Sequence, residues 1–357
     1  MRIPSSQRAS RAELWARLRR SLWQPPRPHG EQPRANGSLH HELHGHDDAR
    51  ARSTFLLLVA MAAFIPEAGG ERGAAFAVAA GVLFAVLAVL WLLAARGDRP
   101  QYRRTIGLFV TGTAACAIAL AATALLPASA RVLAWGLIDA AYLAGFAAVI
   151  LTVAPTRAAA MTVTDSLTER FGAFIIIVLG ETLTGVVGGL ASQPVSALTM
   201  AVGLVAVVVG FGAWWTYFDF AGQRRPRPEP VPTVQWILDH LPLTAAVAAM
   251  GAAVVSLVDH AHDGRTPAAT AWVLSAGAAV VLGTTMLVAA TLQAWEDKRG
   301  LYRALARTSA VAAAACLGVS AARPAPLVLG LALVLLLSIP WGFAVARRLA
   351  DGAGSVK

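Results

Sequence analysis

Charge is scarce in this chain: 14% of its 357 residues are Asp, Glu, Lys or Arg, against about 25% in a soluble domain. Two cysteines exclude a disulfide framework and a four-thiolate metal site. No G-x-x-x-x-G-K-[ST] loop and no dinucleotide fingerprint occurs, so nothing points to nucleotide chemistry. No apolar run follows the basic start closely enough to make a signal peptide. Nor is there a metalloprotease motif, because His41-Glu42 lacks a histidine three residues after the glutamate. No nucleophile–base pair stands out in the spans, and a non-enzymatic protein without a cofactor is expected.

What is present is apolar length. Hydrophobic residues make up 57% of the chain, and the mean hydropathy is positive. After Arg52, apolar segments run over 53–68, 74–95, 105–126, 131–153, 168–190, 196–219, 236–258, 268–294, 303–322 and 325–346. Most reach the roughly 20 residues a spanning helix needs. The first is shorter and ends on Pro66-Glu67. Backbone groups in lipid must pair internally, which leaves helices or a closed barrel, and the period-two alternation of a barrel is lacking. The expected fold is therefore an all-α polytopic membrane bundle of about ten transmembrane helices, spanning residues 53–348. A basic tail (1–52) precedes it and a short tail (349–357) follows.

The net charge of +10 sits at the segment edges, so it speaks of orientation and anionic lipid rather than nucleic acid. With the N-terminus inside, the inner segments carry 26 Lys and Arg and the outer loops 4. Every inner segment exceeds every outer loop. The positive-inside rule then predicts both termini in the cytoplasm. The partners expected are the bilayer, with an anionic inner leaflet, and a small ion or solute.

The tail holds ten arginines. Within Arg11 to Trp23, Leu14, Trp15, Leu18 and Leu22 share a helical face and arginines mostly take the other. That pattern suits either a helix lying on an anionic surface or a disordered basic tail. Gln24 to Arg34 is a proline-rich linker. His40 to Asp48 (H-H-E-L-H-G-H-D-D) has ligands for a transition metal but reads first as a solvated stretch.

Ionisable residues inside the spans mark the place for function. Glu181 lies eleven positions past Arg170 in T-E-R-F-G-A-F-I-I-I-V-L-G-E-T, about 16 Å along a helix. Arg170 can snorkel to the headgroups, whereas Glu181 needs protonation, a hydrogen-bond partner, a cation or a polar pore. It is either a proton- or ion-exchange site or a hydrogen-bonded packing device. Thr182 and Thr184 supply hydroxyls beside it, and Gly180, Gly185, Gly188 and Gly189 permit close helix approach. Asp139 is a second mid-span acid, able to share a cation path with Glu181 or to bond locally to Tyr142 or a water. Glu169, Arg170, Asp219 and His240 form a set at the cytoplasmic edge. Asp239, His240 and Pro242 fall in the first turns of their segment, where proline is unstrained and His240 is suited to relay protons. Trp214, Trp215 and Tyr217 suit an interfacial belt. Asp259, His260, His262 and Asp263 are read as a solvated outer loop.

T-E-R-F-G-A-F-I-I-I-V-L-G-E-T, then W-W-T-Y-F-D, then H-L-P-L resemble, in order and spacing, the bacterial low temperature requirement A family. The likeness covers roughly residues 44 to 348. It implies a multi-pass protein of the bacterial cytoplasmic membrane with about twelve helices and no established activity. Glu169, Arg170, Phe171, Gly172, Gly180, Glu181, Asp219, His240 and Pro242 fall on the family's motif positions; Asp139 does not. The family's first two helices, one with E-L-F-F-D, have no counterpart here. Two functions are expected to compete: a transporter or channel-like protein centred on Glu181, and a non-transporting structural or stress-adaptation protein. A lipid-directed intramembrane enzyme ranks third.

Overall fold

The computed structural model describes residues 73–97, 103–153 and 163–354. They all lie in the second of two compact units, Arg34–Lys357. The tail motifs and the expected span at 53–68 fall outside the described residues.

The described chain is helical: α1 (Gly73–Gly97), α2 (Arg103–Ala122), α3 (Ala128–Val153), α4 (Asp165–Ser192), α5 (Ala197–Phe220), α6 (Pro230–Asp259), α7 (Ala268–Ala290), the short α8 (Gln293–Asp297), α9 (Arg299–Ala322) and α10 (Pro326–Gly354). Nine of these, all but α8, are long and apolar enough to cross a membrane. They coincide with the last nine segments read from the sequence, and the protein is an all-α, multi-pass membrane bundle.

Local chemistry sets the boundaries. Thr164 caps α4, its hydroxyl accepting from the Leu167 amide at 3.1 Å, and Ser196 caps α5 through the Thr199 amide at 3.0 Å. Pro230 opens α6, where its missing N–H costs nothing. Arg323 ends α9 in the left-handed region, φ 48°.

Most neighbours in sequence pack together, α3 and α4 excepted, and α7 is the central helix. It lies against α6 and α9, with α5 and α10 also in contact. Of all the spans it is the most buried. The large core joins residues of α4 through α10, including Val202, Val254, Leu274, Leu282, Leu305 and Leu333. A second cluster joins Phe109 of α2 and Ile150 of α3 to Val234 of α6. Its aromatic part is tight: Trp91 stacks on Phe109 at 5.4 Å. Cys116 and Cys316 are buried, as an apolar role requires.

The loops at each end interlock. At one end Gln193 donates to Asp259 (3.3 Å), and His262 meets Ser196 (3.1 Å) and Thr199 (3.2 Å). At the other, Arg225 pairs with Asp165. There Arg227 donates to the carbonyls of Ala290 (3.1 Å) and Leu292 (3.2 Å) and faces Glu296 at 3.4 Å. His260 and His262, read from the sequence as solvated, are thus hydrogen-bonded into the helix ends.

Candidate functional site

The three motifs meet on three helices. Phe171 of α4, Tyr217 and Phe218 of α5, and Trp236 and His240 of α6 form one packed group. The Phe171 ring lies 4.7 Å from the His240 ring and 4.9 Å from that of Trp236. Tyr217 and Phe218 meet edge to face at 4.9 Å. Gly172 faces Phe218, and a Cβ there would sit 3.5 Å from the phenyl ring. Tyr217, Trp236 and His240 are each 1% exposed.

His240 is held from both sides. Its Nδ1 lies 2.6 Å from the Trp236 carbonyl, and its Nε2 lies 3.0 Å from the Tyr217 hydroxyl. A carbonyl can only accept, so Nδ1 carries the hydrogen. In a neutral ring Nε2 is then bare and accepts from Tyr217 O–H. A second proton would turn that contact round, with Nε2 donating to the tyrosine oxygen.

The depth of this group differs from the expectation. The polar stretch before Trp236 (P-V-P-T-V-Q) is helical, so α6 starts at Pro230. Asp239 and His240 lie in its third turn, not its first, and Pro242 is inside the helix. There proline removes the amide that would serve the Leu238 carbonyl. His240 remains near one end of the bundle, because Tyr217 lies in the last turn of α5.

Thr182 lies farther along α4, where α4, α5 and α6 meet. Gly251 of α6 presents bare backbone to it: a Cβ at 251 would come within 2.8 Å of the Thr182 hydroxyl oxygen. Gly210 of α5 faces the Thr182 methyl, 3.3 Å from a Cβ there. Thr182 is 3% exposed, and its hydroxyl has no hydrogen-bond partner among the described residues. Gly185 and Gly189 allow the approach of α6 as their spacing suggested, against Val255 and Val258. Gly180 and Gly188 do not; no atom lies near a Cβ at either position.

Glu181 is helical within α4. Ten residues separate it from Phe171, so it lies about 15 Å along the axis from the His240 group. Thr184 takes another face: it is exposed and bonds back to the Gly180 carbonyl at 3.0 Å. Asp139 is on α3, which packs on α2 and α6, whereas α4 packs on α5 and α6. Asp139 is exposed, and Tyr142 bonds to Thr113 of α2 at 3.3 Å. Glu169 is exposed and Asp219 half-buried; the Asp219 carbonyl accepts from Arg224 at 3.0 Å.

Sequence reading missed Trp236 and took Asp239 only as part of a cluster at a helix start. Both are partly or wholly buried, and the Trp236 Nε1 and Asp239 Oδ2 atoms lack hydrogen-bond partners. The signal was the spacing Trp236-x-x-x-His240, which puts both on one helical face. No group of three or more His, Cys, Asp or Glu able to hold a metal occurs among the described residues.

Comparison with curated proteins and with solved structures gives no match. The family model for the bacterial low temperature requirement A protein matches residues 44–339, a stretch that contains every helix of the site. The chain belongs to the bacterial low temperature requirement A family.

Proposed function

We propose that this protein moves a proton, a monovalent cation or a small solute across the bacterial cytoplasmic membrane, with Glu181 as the exchange group. The observation that carries the reading is the convergence of the three motifs on α4, α5 and α6. The same three helices hold a buried, hydrogen-bonded His240–Tyr217 pair and, deeper, next to Glu181, the Thr182 hydroxyl, which has no partner among the described residues. Isolated polar groups at such depth are costly and in membrane proteins mark ion and proton paths. Arg170, Asp219 and His240 would shape the mouth on the basic, cytoplasmic side, and both termini would lie there.

The competing reading, a non-transporting structural protein, draws on the tight glycine seam formed by Gly185, Gly189 and Gly251. Flux of protons, sodium and potassium into liposomes separates the two. Transport predicts a flux that Glu181→Gln abolishes while the variant keeps its fold. Absence of flux in the wild-type protein, with Glu181→Gln only lowering thermal stability, overturns the transport reading.

A further inference from the structure

Three arginines, Arg299, Arg303 and Arg307, recur every fourth residue along the first two turns of α9. Residues so spaced lie on one helical face, their Cβ atoms about 5–6 Å apart. The opposite face, with Tyr302, Leu305, Ser309 and Ala312, is buried in the core. The arginine stripe is therefore on the outside of the bundle, and all three residues are exposed.

Arg299 is neutralised by Glu296. Arg303 and Arg307 have no hydrogen-bond or ion-pair partner among the described residues. Their depth makes that unusual. Tyr302 bonds to Arg224, which also donates to the Phe220 carbonyl at the end of α5. Arg303 is thus level with the end of a spanning helix, and Arg307 begins about 6 Å further in. A guanidinium does not lose its proton in proteins. Side chains on a helix lean toward its N-terminus, which here is the basic end. Both guanidiniums are thereby directed toward that end, with Arg307 about one turn deeper than Arg303.

We propose that Arg303 and Arg307 together bind the headgroup phosphate of an anionic phospholipid. The charge is complementary, and a guanidinium matches phosphate oxygens bidentately. Long arginine side chains reach the headgroups by snorkelling, and the described residues leave this face uncovered. This inference does not depend on the transport reading.

The full-length protein in neutral detergent is titrated with phosphatidylglycerol or phosphatidylcholine, and bound lipid is counted by native mass spectrometry. Wild-type protein retains phosphatidylglycerol in preference. Arg303→Gln and Arg307→Gln each weaken retention about fivefold, and the pair about thirtyfold, taking the usual strength of one arginine near an anionic surface. Arg265→Gln, in the loop at the other end, has no effect. Equal retention of the two lipids by the wild type, or undiminished phosphatidylglycerol binding by the double variant, overturns the proposal. So does equally tight binding of water-soluble glycerol phosphate, which would make the stripe an anion site rather than a lipid site. If the double variant does not fold, Arg307→Gln alone decides, since that residue lies deeper.

Discussion

Tyr217→Phe removes one oxygen from the best-defined polar contact in the bundle. The ring stays, and with it the edge-to-face contact with Phe218 at 4.9 Å. What is lost is the donor to His240 Nε2, 3.0 Å away in a site where both side chains are 1% exposed. No water replaces it without new space, so Nε2 becomes a buried acceptor with no partner, at a cost of about 1–3 kcal/mol. The net coupling of the pair is smaller. Interhelical hydrogen bonds in membrane proteins average about 0.6 kcal/mol in double-mutant cycles and reach about 1.7. His240 is already braced by the Trp236 carbonyl at 2.6 Å, so its ring cannot turn to find another donor, and a coupling near the upper figure is expected. His240→Phe completes the cycle, because a phenyl ring suits the cage of Phe171, Tyr217 and Trp236. The assay is equilibrium unfolding in mixed detergent–SDS micelles. Tyr217→Phe and His240→Phe should each destabilise, and the double variant should be less destabilised than their sum by about 1.7 kcal/mol. A Tyr217→Phe change below about 0.5 kcal/mol, with additive single effects, would refute the hydrogen bond as drawn.

Gly251→Ala should destabilise by about 1–3 kcal/mol through overpacking, because its Cβ would press on the Thr182 hydroxyl at 2.8 Å. Adding Thr182→Ala should recover most of the loss in the same unfolding assay, whereas Gly180→Ala, which meets nothing, should be neutral or stabilising. Asp139→Asn should leave any Glu181-dependent liposome flux within about twofold, since separated sites act independently; a loss equal to that of Glu181→Gln would put both acids on one path.

The spans were legible because length and hydropathy decide them: an apolar run that must bury its backbone polar groups has no alternative to a helix. Less legible were the places where polar residues are helical. P-V-P-T-V-Q before Trp236 reads as loop, yet proline at the first helical position is compatible with the turn that follows. His240 and Pro242 were therefore assigned too near the helix start. The motifs fall on three helices that pack together, but their side-chain partners depend on rotation about each axis. Thr182 faces the α5–α6 seam while Thr184 faces outward, and nothing in T-L-T distinguishes them. The glycines show the same limit. Four looked equivalent in sequence, and only Gly185 and Gly189 have a neighbour to admit. Asp139 is grouped with Glu181 in sequence by depth alone, and depth does not say which neighbours its helix takes; α3 packs on α2 and α6.

The smaller aromatic cluster has a mechanical corollary. Among the described residues, helices α1 to α3 are tied to each other by Phe109, Phe146 and Trp91, and their aromatic cluster meets Val234 and Leu238 near the start of α6. By contrast, α4 to α10 share a continuous core and are stitched by Arg225 and Arg227 across their loops. A rocking movement within the bundle would therefore be cheapest along that narrow joint. It would carry the three-helix group as one rigid lever, with α6, the helix that bears His240, as its fulcrum.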